Sequence, residues 1–266
     1  FKQKTAYEML RSLVGSEMCI RDREYIMKNR LIVALDRGDK QEIYNILSEL
    51  DGVVTYYKVG IQIFTLLGPD IVYDIKNRGH KVFLDLKFHD IPNTVANGII
   101  SAIGLGVDML TIHTLGGFEM METAMKAAWE GDKKMTNVIG VTMLTSLSDA
   151  FLMDILGVYD KTIKEMVLIL ANSAKSAGLD GVVASVNEVK EIKKELGKEF
   201  IVITPGIRPI GDNIFDQVRV STPEDAIRNG SDYLVVGRPI LDAKNRAKAA
   251  TEILEQMNKG KNNDKL

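Results

Sequence analysis

Eight short runs rich in Val, Ile and Leu alternate with amphipathic stretches along this chain of 266 residues, and they predict a single-domain α/β fold, a (β/α)8 TIM barrel. The runs are nearly continuous in apolar residues, as strands of a parallel sheet buried on both faces must be. The roughly 240 residues from Met27 onward also fit one such barrel, whose typical size is about 250 residues.

The elements follow in order. LIVALD (31–36) reads as the first strand and Asp39 to Leu50 as a helix, with Ile43, Ile46, Leu47 and Leu50 at helical spacing. VTYYKVG (54–60) is the second strand, followed by a helical segment to Asn77 that contains Gly68-Pro69. KVFLDLK (81–87), VDMLTIH (107–113), NVIGVTML (137–144), LDGVVAS (179–185), FIVITPG (200–206) and SDYLVVG (231–237) complete the set, each trailed by a helical stretch. An open doubly wound sheet is the main alternative, but Asp36-Arg37-Gly38-Asp39 stands where its G-x-G-x-x-G turn belongs. The barrel domain is expected over 27–258, with a frayed polar tail over 259–266.

Residues 1–26 lack a long apolar core and a small-residue cleavage pattern, which argues against a signal peptide. Glu8, Glu17, Asp22 and Glu24 argue against a transit peptide, and LRSLVGSEMCIRDR resembles translated adaptor sequence. The stretch is expected to be a non-native or disordered extension, with the native protein starting at Met27. It contains Cys19, the single cysteine, so no disulfide framework is available and a reducing cytoplasm is expected. The net charge of −2 gives no basic field for nucleic acid or an anionic membrane, and no run is long enough to span a bilayer. Three histidines, none at ligand spacing from another, argue against a histidine-built metal centre.

Polar residues collect at the strand ends, where barrels of this type carry their active sites. By alternation Asp36 shares a face with Ile32 and Ala34, and Asp85 shares one with Lys87. Lys58 ends the second strand, and Asp90 follows in the loop before Ile91-Pro92. One charge at a strand end is commonly a solvated rim residue. Asp36, Lys58, Asp85 and Lys87 at the same end of three consecutive strands favour catalysis over a structural ion-pair network. Alternating Lys and Asp keep one another ionised in a desolvated mouth. Such an array supplies fixed charge and one proton donor without a metal, and suits a reaction that develops carbanion character before protonation.

TPGIRP (204–209) and VVGRPI (235–240) follow strands seven and eight, the usual phosphate position in this fold. Gly237 allows close backbone approach, Arg238 supplies a guanidinium, and Pro239 suits the first position of a helix facing the anion. The bland alternative is that both Gly/Pro turns only punctuate loops.

The segment DLKFHDIPNTV (85–95) resembles the D-x-K-x-x-D-I-P-x-T signature of the orotidine 5′-phosphate (OMP) decarboxylase family. The likeness runs from Arg30 to about Ala249 and includes ALD (34–36), YKVG (57–60), VTMLTS (141–146), TPGIR (204–208), DQVRV (216–220) and VVGRPI (235–240). It implies cofactor-free, metal-free conversion of OMP to UMP and CO2 in pyrimidine synthesis. It implies Lys87 as the acid that protonates C6, with Asp85, Lys58 and Asp90 completing a Lys-Asp-Lys-Asp tetrad. Asp36 and Lys58 are implied as ribose contacts, and Thr145 as the pyrimidine contact. Arg208, Gln217, Gly237 and Arg238 are the implied phosphate grip, Gln217 on a closing loop. Asp90 and Thr94 are implied to reach a partner's active site, hence a homodimer.

Two rivals stand beside this reading. Sister barrels such as hexulose-phosphate synthases or ketogulonate-phosphate decarboxylases resemble this chain at the D-x-K-x-x-D segment but use magnesium and carry a glutamate near the end of strand two, where this chain has Lys58. A non-catalytic phosphonucleotide binder would have little use for so costly a charge cluster. Other conspicuous residues read as structural. His113 reads as a barrel histidine held by neighbours, and His89 as shaping its loop or the dimer contact. Met120, Met121, Met125 and Trp129 read as outer-ring packing, and KEIKKELGK (190–198) as a solvated helix face.

Overall fold

The computed structural model describes Met27 and residues 29–131, 136–209 and 221–262. Its eight strands are β1 (Leu31–Ala34), β2 (Tyr56–Gly60), β3 (Lys81–Phe88), β4 (Met109–His113), β5 (Asn137–Val141), β6 (Gly181–Val183), β7 (Ile201–Thr204) and β8 (Tyr233–Val236). All pair in parallel and in chain order, and β8 pairs back to β1, which closes the barrel. The strands are mostly shorter than the apolar runs predict, because the ends of those runs pass into the loops: at the barrel mouth after β1 and β5, before the strand at β2 and β4, and on both sides of β6, β7 and β8.

The helices are α1 (Lys40–Glu49), α2 (Ile61–Leu67), α3 (Asp70–Asn77), α4 (Pro92–Gly104), α5 (Gly117–Glu130), α6 (Asp149–Asp154), α7 (Ile163–Ser176), α8 (Val186–Leu196), α9 (Pro223–Arg228), α10 (Arg238–Leu241) and α11 (Arg246–Asn262). Among the described residues no helix is long and apolar enough to cross a membrane. Asp39 starts α1 by accepting from the Glu42 amide, and Ile43, Ile46 and Leu47 form its buried stripe. Gly68, left-handed at φ 63°, ends α2 and divides the segment to Asn77 into two helices.

Alternation along the strands makes two cores. Ile32, Tyr56, Phe83, Met109, Ile139 and Ile203 fill the barrel interior. Their neighbours Val33, Tyr57, Val82, Leu110, Val138 and Val202 pack outward against the helices. Ala34, Lys58, Asp85 and Thr111 therefore lie on the inward face, one step nearer the strands' C-terminal ends.

The opposite end is held by a repeated device that the sequence patterns did not reveal. Asp108, Asp180 and Asp232 precede β4, β6 and β8. Each donates its amide to a valine carbonyl on the strand before, and its carboxylate accepts that valine's amide: Val82 at 2.8 Å, Val138 at 2.7 Å and Val202 at 2.7 Å. Lys76 and Lys193 close on Asp108 and Asp232 at 2.7 and 2.6 Å. These pairs satisfy buried strand-end donors and set the register of the sheet.

Two expectations need correction. α11 continues through Asn262, so residues 259–262 are helix and not a frayed tail. Gly260 permits this, since a Cβ there would lie 2.5 Å from the Glu224 carbonyl oxygen of α9. Trp129 is 63% exposed, because α5 buries the face carrying Met120, Met121, Ala124 and Met125 and turns Trp129 away. The expectation for residues 1–26 lies outside the described residues.

Removal of the Asp232 carboxylate should leave Val202 N–H without its acceptor and Lys193 without its ion pair. Asp232→Ala is expected to lower stability by about 1–3 kcal/mol in urea unfolding. An unchanged unfolding midpoint would contradict the register role.

Candidate active site

The C-terminal ends of the strands surround a cavity of about 500 Å³. On the β1–β3 side four charged residues alternate in sign. Lys58 Nζ lies 3.2 Å from Asp36 Oδ1 and 3.4 Å from Asp85 Oδ2, and Lys87 Nζ lies 2.9 Å from Asp85 Oδ1. Strand register produces this line: Ala34 pairs with Lys58, and Gly60 with Asp85. Gly60 has to be small, since a Cβ there would sit 2.9 Å from Lys58 Nζ and 3.1 Å from Asp36 Oδ1.

Asp85 is 8% exposed and so depends on its neighbours. Burial alone would raise its carboxyl pKa, but the Lys58 and Lys87 ammoniums, with hydrogen bonds from Lys87 and Thr111, hold it below the ordinary carboxylate range. Burial would likewise discharge Lys58, yet Asp85 and Asp36 hold its pKa above the usual lysine value. Both groups are thus ionised at neutral pH.

Lys87 has φ 53°, the one left-handed non-glycine among the described residues. The β3–β4 register shifts between Leu84 and Phe88. At that irregularity the Lys87 amide donates to Thr111 Oγ1 at 2.8 Å, and Thr111 Oγ1 donates to Asp85 Oδ1 at 3.1 Å. Thr111 is fully buried. It was not singled out from the sequence, where only its place two residues before His113 on the inward face of β4 marks it.

Past Lys87 the chain leaves the cavity. His89 stacks on His113 with ring centroids 5.2 Å apart, and His113 Nδ1 accepts from the Leu115 amide at 3.3 Å. Asp90 does not line the cavity. Its Oδ1 accepts from the Ile91 amide, and it borders a separate open depression with His89, Ile91, Pro92, Leu115 and Gly116. Thr94, on α4, is exposed. Within one chain, then, Asp36, Lys58, Asp85 and Lys87 come together, and Asp90 and Thr94 stay outside.

The β7–β8 side brings Arg208, Gly237 and Arg238 to the cavity, and Thr145 lines it from the loop after β5. Gly206 is left-handed at φ 77°, a turn that favours glycine, and carries the chain from β7 toward Arg208. Arg208 is 7% exposed, and its Nη1 donates to the Ile207 carbonyl at 2.9 Å. Gly237 caps α10, with Arg238 first and Pro239 second in that helix, one place later than expected for the proline. Arg37 also lines the cavity, pairing with Glu42 and Asp242 and so tying the β1 loop to α10. Gln217 lies outside the described residues. Among the described residues no group of three or more His, Cys, Asp or Glu side chains is arranged to hold a metal ion.

A closed parallel barrel with a Lys/Asp line centred on buried Asp85 and two arginines at the strand ends belongs to the class of (β/α)8 enzymes acting on small anionic substrates. Comparison narrows the class. Residues 29–253 match the family model described as Orotidine 5′-phosphate decarboxylase / HUMPS family. Orotidine 5′-phosphate decarboxylase of Carboxydothermus hydrogenoformans is 50% identical over 234 residues, 87% of this chain and 97% of that one. That of Mannheimia succiniciproducens is 47% identical over 232 residues, 87% and 97% of the two chains. The crystal structure of orotidine 5′-phosphate decarboxylase from Lactobacillus acidophilus superposes with a TM-score of 0.76 at 37% identity, covering 86% of this chain and 99% of that one. The chain belongs to the orotidine 5′-phosphate decarboxylase / HUMPS family of enzymes.

Burial, then the neighbouring His89 and Lys87, push the His113 ring down to about 4. An unfolded histidine takes up its proton below about 6.5 and folded His113 only below that lower value, so stability falls as pH drops between the two. His80, lowered chiefly by burial, acts in the same direction. Unfolding free energy should therefore be smaller at pH 5 than at pH 7, and His113→Asn should shrink that difference. An undiminished difference in the variant would contradict the assignment. Asp85 contributes in a separate, more acid window, below the ordinary carboxylate range.

Proposed function

We propose that this chain decarboxylates OMP to UMP and CO2 in pyrimidine biosynthesis, using its Lys/Asp line and no metal or organic cofactor. The observation that carries the reading is the alternating series Asp36, Lys58, Asp85, Lys87 at the mouth of a cavity that also holds Arg208 and Arg238. Loss of CO2 leaves an electron pair on C6 of the pyrimidine, a carbon without a conjugated sink. The Lys87 ammonium stabilises that pair and then gives its proton to C6, and the resulting amine regains a proton from solvent. Asp85 faces the departing carboxylate and, between two ammoniums, stays charged while doing so. Asp36 and Lys58 serve the ribose hydroxyls and Thr145 the pyrimidine. Gly237, Arg208 and Arg238, with Gln217, hold the phosphate, whose binding energy orients the ring at a distance.

Two features support this assignment over a magnesium-dependent sister reaction. The relatives at 44–50% identity are named orotidine 5′-phosphate decarboxylase. Lys58 also places an ammonium against both Asp36 and Asp85, where a divalent cation would want free carboxylate oxygens. The working unit is proposed to be a cytoplasmic homodimer in which Asp90 and Thr94 complete the partner's site. Their position outside their own cavity supports this, as do exposed Ile91 and Leu115 beside them. Neither nucleic acid nor membrane is a proposed partner.

Loss of OMP absorbance on adding purified protein, unchanged by EDTA, is the expected primary result; turnover that needs magnesium would favour the sister reaction. Lys87→Ala should lower kcat by about 10³-fold or more while product analogues still bind. Near-native turnover in that variant would remove Lys87 as the acid. Specific activity should also fall on dilution below the dimer dissociation constant, and an activity independent of concentration in a monomeric sample would contradict a shared site.

A further inference from the structure

We infer that Thr111 is a positioning residue for this reaction: its hydroxyl holds Lys87 in a strained backbone conformation and orients Asp85 toward it. The inference rests on the decarboxylase reading for its assay but on separate observations for its content. In a regular parallel ladder the Lys87 amide would pair with a β4 backbone carbonyl. The register shift between Leu84 and Phe88 interrupts the ladder there, and the amide donates to Thr111 Oγ1 instead, at 2.8 Å. That oxygen accepts from a backbone N–H, and its own proton is directed at Asp85 Oδ1, 3.1 Å away. A carboxylate flanked by ammoniums only accepts, so the relay has one direction: Lys87 amide to Thr111 hydroxyl to Asp85.

The relay has a mechanical consequence. Two side chains on the same face of a regular strand are about 6.5 Å apart at their origins, given a rise of roughly 3.3 Å per residue. Here the Lys87 ammonium lies 2.9 Å from Asp85 Oδ1 and is carried by a left-handed backbone, which aims the long side chain. A lysine at positive φ carries a conformational cost and persists only where its surroundings hold it. Thr111, fully buried and bonded to the Lys87 backbone and the Asp85 side chain, is the group that does so. It need not touch substrate. It fixes the position from which the ammonium acts.

The test compares Thr111→Val, which keeps the shape and deletes the hydroxyl, with Thr111→Ser, which keeps the hydroxyl. With OMP as substrate, Thr111→Val should lose about 10- to 100-fold in kcat with KM changed less than about threefold, and Thr111→Ser should recover most of the loss. A crystal structure of the valine variant should show Lys87 leaving positive φ or its ammonium moving away from Asp85. If the valine protein does not fold, Thr111→Ala removes the same hydroxyl and carries the same expectation. A valine or alanine variant with kcat near the parent's, or a serine variant as impaired as valine, would overturn the inference. A parent protein inactive on OMP would instead overturn the function, and the variant's Lys87 geometry would still decide the role of Thr111.

Discussion

The mutual dependence of buried charges around Asp85 governs this molecule. An isolated carboxylate in such a place would take up a proton, and an isolated ammonium would lose one, because desolvation costs each several kcal/mol. Asp85 touches two ammoniums and Lys58 touches two carboxylates, so neither charge survives without the other. Much of the local fold serves this condition. β1 and β2 are in a register that sets Lys58 beside Asp36, Gly60 leaves room for their contact, and Thr111 completes the coordination of Asp85.

The two ends of the barrel use carboxylates in opposite ways. At the N-terminal end Asp108, Asp180 and Asp232 each clamp a valine of the neighbouring strand through both amide and carboxylate, with Lys76 and Lys193 closing on two of them, so their charge is spent within the fold. At the C-terminal end Asp36 and Asp85 contact side-chain ammoniums along the wall of a cavity, and the charges remain available to a bound molecule. Rigidity at one end allows strain at the other. A register pinned below the interior layer of Ile32, Tyr56 and Phe83 can tolerate the irregular β3 turn above it.

The sequence made legible whatever depends on period. Alternation placed Asp36 with Ile32 and Asp85 with Lys87 on the inward face, and eight apolar runs became eight strands in chain order. Single contacts without a period escaped it. Thr111 is one of four threonines in the predicted apolar runs, with Thr55, Thr142 and Thr204, and its role arises only where the β3–β4 ladder slips. Trp129 shows the converse failure: a helix carrying several methionines invites the assumption that its tryptophan is buried too, yet a residue's angle about the axis decides. Gly260 likewise looked like part of a polar tail until α9 supplied the carbonyl it packs against.

The strained turn at Lys87 also explains how one short segment can face two ways. Asp85 and Lys87 lie two residues apart and both point into their own barrel, whereas Asp90, three residues further, borders an outward depression with Ile91 and Leu115. A strand that continued its regular pleat would keep sending alternate side chains inward. The positive φ at Lys87 breaks the pleat one residue before β3 ends, with its ammonium on Asp85, and beyond Phe88 the chain runs out over the rim, where His89 stacks on His113. Under the proposed function, the same backbone irregularity that aims the acid in one barrel delivers Asp90 toward another. Relaxing it would disturb two sites at once, which is a physical reason for keeping the turn under strain.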